Sequence, residues 1–111
     1  MELYLGTDRI TALAKVADLE SALTAVRCLR GRKELGLLAP DGQGLVLSMR
    51  TRWFQRSEQF LVEHVRGNCV AQLFTPSFKH AGDCARRFLA GRMPFPGALT
   101  EDGCPLCRLG H

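Results

Sequence analysis

Residues 34–49 read ELGLLAPDGQGLVLSM. Two apolar runs, Glu34–Ala39 and Gly44–Met49, flank the four residues Pro40-Asp41-Gly42-Gln43. Proline fixes φ at the entry to a turn and glycine tolerates the positive φ that follows, so the stretch predicts a β-hairpin. The elements on either side must then supply the rest of a sheet and whatever covers it.

Upstream, Asp18 is a good helix N-cap, and Leu19, Ala22, Leu23, Val26 and Leu29 recur at i, i+3, i+4, i+7 and i+10, one face of an amphipathic helix. Gly31 suits its C-terminus, and Arg27 and Arg30 suit the negative end of its dipole. Cys28 reads as a small packing residue in this helix. Earlier still, Glu2–Leu5 and Ile10–Val16 alternate on either side of Gly6-Thr7-Asp8, which suits two strands or one interrupted strand.

Downstream, Thr51–Val65 divides the reading. Trp53, Phe54, Phe60, Leu61, His64 and Val65 fit a helical stripe that Gly67 closes, and a helix is preferred for the first part. The competing reading is a strand over Gln59–Val65 that turns at Arg66-Gly67-Asn68 and pairs with the strand Cys69–Phe74. Thr75-Pro76 stops that strand, and Ser77 caps a last helix with Phe78, Ala81, Ala85, Phe88 and Leu89 on its buried stripe and Gly91 after it. Pro94 and Pro96 prevent any further helix. The fold class expected is small α+β: an antiparallel sheet with a β-hairpin packed against two or three helices. Residues 1–91 form the core domain, and residues 92–111 an extended, irregular C-terminal tail.

The totals agree with one domain. The chain has 111 residues, 46% apolar and 23% charged, enough for a single core and too apolar for disorder throughout. No apolar run is long enough to span a membrane, and MELYLGTDR lacks the basic leader and long apolar stretch of a signal peptide. Five cysteines are an odd number for a secreted disulfide framework. A reducing, intracellular compartment, cytoplasmic or nuclear, is therefore expected.

The net charge of +4 is unevenly placed. Arg27, Arg30, Arg32, Lys33, Arg50, Arg52 and Arg56 stand against only Glu34 and Asp41 in residues 27–56. This set is the candidate contact for phosphates or an acidic protein surface, the alternative being a solvated rim.

The chain closes on GCPLCRLGH. The gap between Cys104 and Cys107 lets both sulfurs of a tight knuckle face one ion. Upstream, His80 and Cys84 are four apart in the last predicted helix and so stack on one of its faces. The four together would give tetrahedral zinc coordination, pinning the tail to the helix at 78–90. Structural zinc supplies about 10–16 kcal/mol of apparent binding free energy, enough to order a tail that buries little. His111 rivals His80 as fourth ligand, and a site-free pair of thiols remains the alternative. A redox CxxC is less favoured because no helix follows to lower a thiol pKa. Cys69 near His64 is the one arrangement that invites a thiol nucleophile, and the chain has no glycine-rich phosphate loop and no HExxH.

The segments ESALTAVRCL (20–29), GLLAPDGQGLVLSM (36–49) and CVAQLFTPSF (69–78) together resemble the first half of a DNA sliding-clamp domain of the checkpoint-clamp type, over residues 19–78. That resemblance implies a two-layer α+β module that assembles edge to edge with partners and turns Arg27 and Arg30 toward DNA. On the residues themselves, the function expected is a non-catalytic macromolecular binding or adaptor module with a protein partner, as a homo- or hetero-oligomer. The alternatives are a DNA-associated subunit using the basic set and a cysteine-dependent enzyme or redox protein.

Overall fold

The computed structural model describes residues 1–28, 34–51 and 58–95. The hairpin forms as its turn chemistry requires: β3 (Leu35–Leu38) and β4 (Gly44–Thr51) pair antiparallel with Leu37 opposite Leu45 and Leu35 opposite Leu47. Gly42 takes φ +92°, and the Asp41 carboxylate accepts from the Gln43 backbone N–H at 3.0 Å, tightening the bend.

Two further hairpins extend this pair. β1 (Glu2–Leu5) turns through Gly6-Thr7 into β2 (Asp8–Thr11), and β1 pairs with β3. The second strand is thus earlier than the alternation of Ile10–Val16 suggests, because Val16 already opens a helix. On the other side β5 (Glu58–Arg66) pairs with β4 and turns through Gly67-Asn68 into β6 (Cys69–Thr75). The result is a six-stranded antiparallel sheet in the order β2-β1-β3-β4-β5-β6.

Of the two readings left open for Phe60 to Val65, helical stripe or strand, the strand is what forms. The earlier part of that helix lies outside the described residues. The physical reason is position: β5 is a central strand with apolar residues on both faces, Phe60 and Val62 toward the helices and Leu61 on the other side, all buried. Such a run loses the two-residue alternation and matches helical spacing by coincidence.

Helices α1 (Val16–Cys28) and α2 (Phe78–Leu89) cover one face of the sheet, α1 over β1 and β3, and α2 over β4, β5 and β6. Leu19, Ala22, Leu23 and Val26 of α1 and Ala81, Ala85 and Phe88 of α2 are buried against Leu3, Leu37, Leu47, Val62 and Ala71 of the sheet. Asp18 closes the start of α1 from its third position, its carboxylate accepting from the Lys15 N–H at 2.9 Å. Ser77 caps α2 by accepting from the His80 N–H at 3.1 Å. The chain beyond α2 does not leave at once: Pro94 and Phe95 are buried, with Phe95 edge-on to His64 at 6.3 Å. No helix among the described residues is long and apolar enough to cross a membrane.

Candidate functional site

The face of the sheet opposite the helices carries Tyr4, Gly36, Val46, Glu63 and Gln72 in one cross-strand row and Leu38, Gly44, Val65 and Val70 in the next. Toward β4 and β5 that face is closed as well, since Ser48 and Leu61 are buried. Its exposed large apolar groups include Leu38 of β3 (37% exposed) and Val70 (41%) and Phe74 (49%) of β6.

The geometry of β6 follows from its turn. In a hairpin with a two-residue loop the closing pair exchanges both backbone hydrogen bonds, and bonded and non-bonded pairs then alternate. Gly67-Asn68 is that loop and Arg66 opposite Cys69 is the closing pair, so Cys69, Ala71, Leu73 and Thr75 bond to β5. The N–H and C=O groups of Val70, Gln72 and Phe74 therefore point in the sheet plane away from β5, on the side where β6 is the last strand among the described residues. The same three residues turn their side chains to the face opposite the helices, and none is charged. Gln72 is steadied by a 3.1 Å hydrogen bond from its Nε2 to Glu63.

A second feature lies at the hairpin end of the sheet. His64 is 2% exposed, with its Nε2 3.0 Å from Oε1 of Gln43 and its ring edge-on to Phe88 at 5.5 Å. With Gln43 oriented in this way Nε2 donates, which leaves Nδ1 a buried acceptor with no hydrogen-bond partner. Burial pushes the imidazole pKa down, the Arg66 charge adds to this, and Asp41 opposes it. The ring is neutral as a result. It borders an open cleft of about 280 Å³ that Asp41, Gln43, Phe88 and Arg92 also line.

Few of the residues singled out from the sequence lie among the described ones. Arg27 is exposed near the end of α1, with its guanidinium 5.4 Å from the centre of the Phe78 ring. Arg50 is in β4, and Arg30, Arg32, Lys33, Arg52 and Arg56 lie outside the described residues. Of the metal set, His80 is exposed on α2, whereas Cys84 is 1% exposed in the core, a free thiol whose pKa burial pushes up. Cys104, Cys107 and His111 lie outside the described residues, and among the described ones no three His, Cys, Asp or Glu side chains gather into a metal-binding group. Cys69 is disulfide-bonded and so offers no thiolate to a nucleophilic mechanism with His64.

The sequence reading found Cys69–Phe74 as a strand but not its place at the edge. Its one available signal was composition: CVAQLFT carries no charge and no proline, the usual guards of an exposed edge. Comparison of the chain with protein-family models, with curated proteins and with solved structures finds no match.

Proposed function

We propose that this chain is a non-catalytic binding module that takes up an extended polypeptide segment along β6. The observation that carries the reading is the coincidence, on Val70 and Gln72, of backbone donors and acceptors turned away from β5 with exposed, uncharged side chains. Addition of a strand to a sheet edge uses this combination: main-chain bonds supply affinity, and alternate side chains supply selectivity. The neutral, hydrogen-bonded His64 and the disulfide at Cys69 favour a structural over a catalytic role for those two residues.

The test is a photoreactive amino acid placed at position 72 of the full chain, with the same group at position 10 of β2 as control. Irradiation in cell extract should cross-link position 72 to an extended segment of another polypeptide, mapped by peptide mass spectrometry, and give little at position 10. Equal labelling at both edges, or none at 72, removes the proposal. The zinc reading, with His80, Cys84, Cys104 and Cys107 as ligands, has its own assay in elemental analysis of the native protein: one zinc per chain supports it and metal-free protein ends it. The nucleic-acid reading requires duplex binding that weakens steeply with salt and falls on charge reversal at Arg27 and Arg30.

A further inference from the structure

Cys69 is disulfide-bonded, and its place in the fold selects the partner. It opens β6 opposite Arg66, is 7% exposed, and shares the helix-covered side of the strand with the buried Ala71. Of the other four cysteines, Cys84 is a free thiol in the core. Cys28 ends α1 at the far end of the sheet. Glu20 near the start of α1 bonds Arg86, and Arg27 near its finish reaches Phe78, so α1 runs antiparallel to α2 and ends beside the first turn of α2. Phe78 lies edge-on to Phe60 at 5.2 Å, and Phe60 pairs with Thr75, the last residue of β6. From Thr75 back to Cys69 is six residues of strand, about 20 Å, whereas bonded cysteines keep their Cα atoms within about 7 Å.

Cys104 and Cys107 remain, and the chain passes close to Cys69 on its way to them. Phe88 of α2 is edge-on to the His64 ring at 5.5 Å, and the buried Phe95 at 6.3 Å. His64 pairs with Ala71, two residues along β6 from Cys69. Cys104 follows Phe95 by nine residues, up to about 30 Å of extended chain, so both cysteines are within reach.

We infer that Cys69 is bonded to one cysteine of the closing Cys104-Pro105-Leu106-Cys107 stretch, so that sulfur, and not zinc, ties the C-terminal tail to the core. Formation of the bond joins the two sulfurs and removes two protons and two electrons, which a small-molecule disulfide accepts on being reduced to two thiols. The bonded cysteine then has no thiolate to offer a metal, and the set His80, Cys84, Cys104 and Cys107 loses a ligand. The loop it closes contains the rest of β6 and all of α2, which restricts the unfolded chain and stabilises the folded one. The bond stands whether or not β6 takes up a partner strand.

Trypsin separates the candidates. Cys28, Cys69 and Cys84 fall in peptides 28–30, 67–79 and 80–86, and Cys104 and Cys107 share 93–108. The full chain, equilibrated with oxidised glutathione and alkylated under denaturing conditions before digestion, should yield 67–79 joined to 93–108, a species lost on reduction. Reduction of the folded protein should lower its melting temperature by about 5 °C or more, and Cys69→Ser should remove that sensitivity to reductant. The joined species should vanish in one of Cys104→Ser and Cys107→Ser, which names the partner, or in their double variant where either serves. Cys69 recovered alkylated, joined to 28–30 or 80–86, or still joined in the double variant overturns the inference.

Discussion

The two edges of this sheet are finished differently. β2 is short, carries Asp8 and Arg9, and is tied back by the Arg9 guanidinium to Glu2 at 3.0 Å. β6 is nearly twice as long, keeps an unbroken register with β5, and has no charge at all. Charge and brevity are the usual means of making an edge unattractive to other chains, and they are applied on one side only. The difference also runs inward. Ile10, the apolar residue of β2, is 53% exposed, while Ala71 of β6 is buried beneath α2. The β6 edge is thus anchored to the core and the β2 edge is not.

The strongest test of that contrast puts one substitution on both sides. Ala71→Asp sets an unpaired carboxylate in the core and should cost about 3 kcal/mol or more. Ile10→Asp on exposed β2 should stay within about 0.5 kcal/mol of the parent. Urea denaturation of the two variants measures both, and comparable losses would erase the distinction between an anchored and an unanchored edge.

A smaller effect tests how the two sides are joined. α1 sits over the β2 side of the sheet and α2 over the β6 side, and Arg86 links them: its Nε and Nη2 bond the Glu20 carboxylate at 2.6 and 3.0 Å, and its Nη1 bonds Asp83 at 2.8 Å. The guanidinium beside Glu20 holds that carboxyl below its usual range. All three side chains are partly exposed, so water and salt screen the pair, and Arg86→Ala should cost only about 1 kcal/mol, less at high ionic strength. A salt-independent loss would mean that Arg86 acts by packing its stem and not by its charge.

Much of this arrangement is legible in the residues. The Pro40-Asp41-Gly42 turn, the α1 stripe Leu19, Ala22, Leu23 and Val26, and the Ser77 cap of α2 each follow a local rule that the tertiary fold leaves intact. Phe60 to Val65 stay undecided between helix and strand because burial on both sides of an interior strand removes the alternation that identifies a strand. The β6 edge is invisible for a different reason: which of the described strands stands last is decided by sheet order, and order is a property of the assembled fold. His64 is likewise unremarkable in sequence, since its partner Gln43 is 21 residues away, in the β3–β4 turn.

His64 provides the mildest test of the asymmetry. It belongs to β5, beside β6, and its neighbour on that side is Ala71, whereas Leu3 is the buried residue of β1 beside β2. Acid should therefore weaken the molecule at its β6 side. Burial lowers the folded-state pKa of this imidazole from 6.5, so as pH falls the unfolded chain takes up the proton first. The full contribution of the neutral ring is present above pH 6.5, declines as pH drops through that value, and stops declining once the folded form is protonated as well. By linkage the loss at pH 6 cannot exceed about 0.8 kcal/mol, whatever the size of the shift. Melting curves at pH 7.5 and pH 6 should show this decrease in the parent and not in His64→Phe, which keeps an aromatic ring against Phe88 and Phe95 but has nothing to titrate. Hydrogen exchange gives the location: the amides of Ala71 and Leu73, bonded to β5, should lose protection on acidification before those that join β1 to β3. Equal loss on both sides would show that the histidine reports on the whole core and not on the edge it supports.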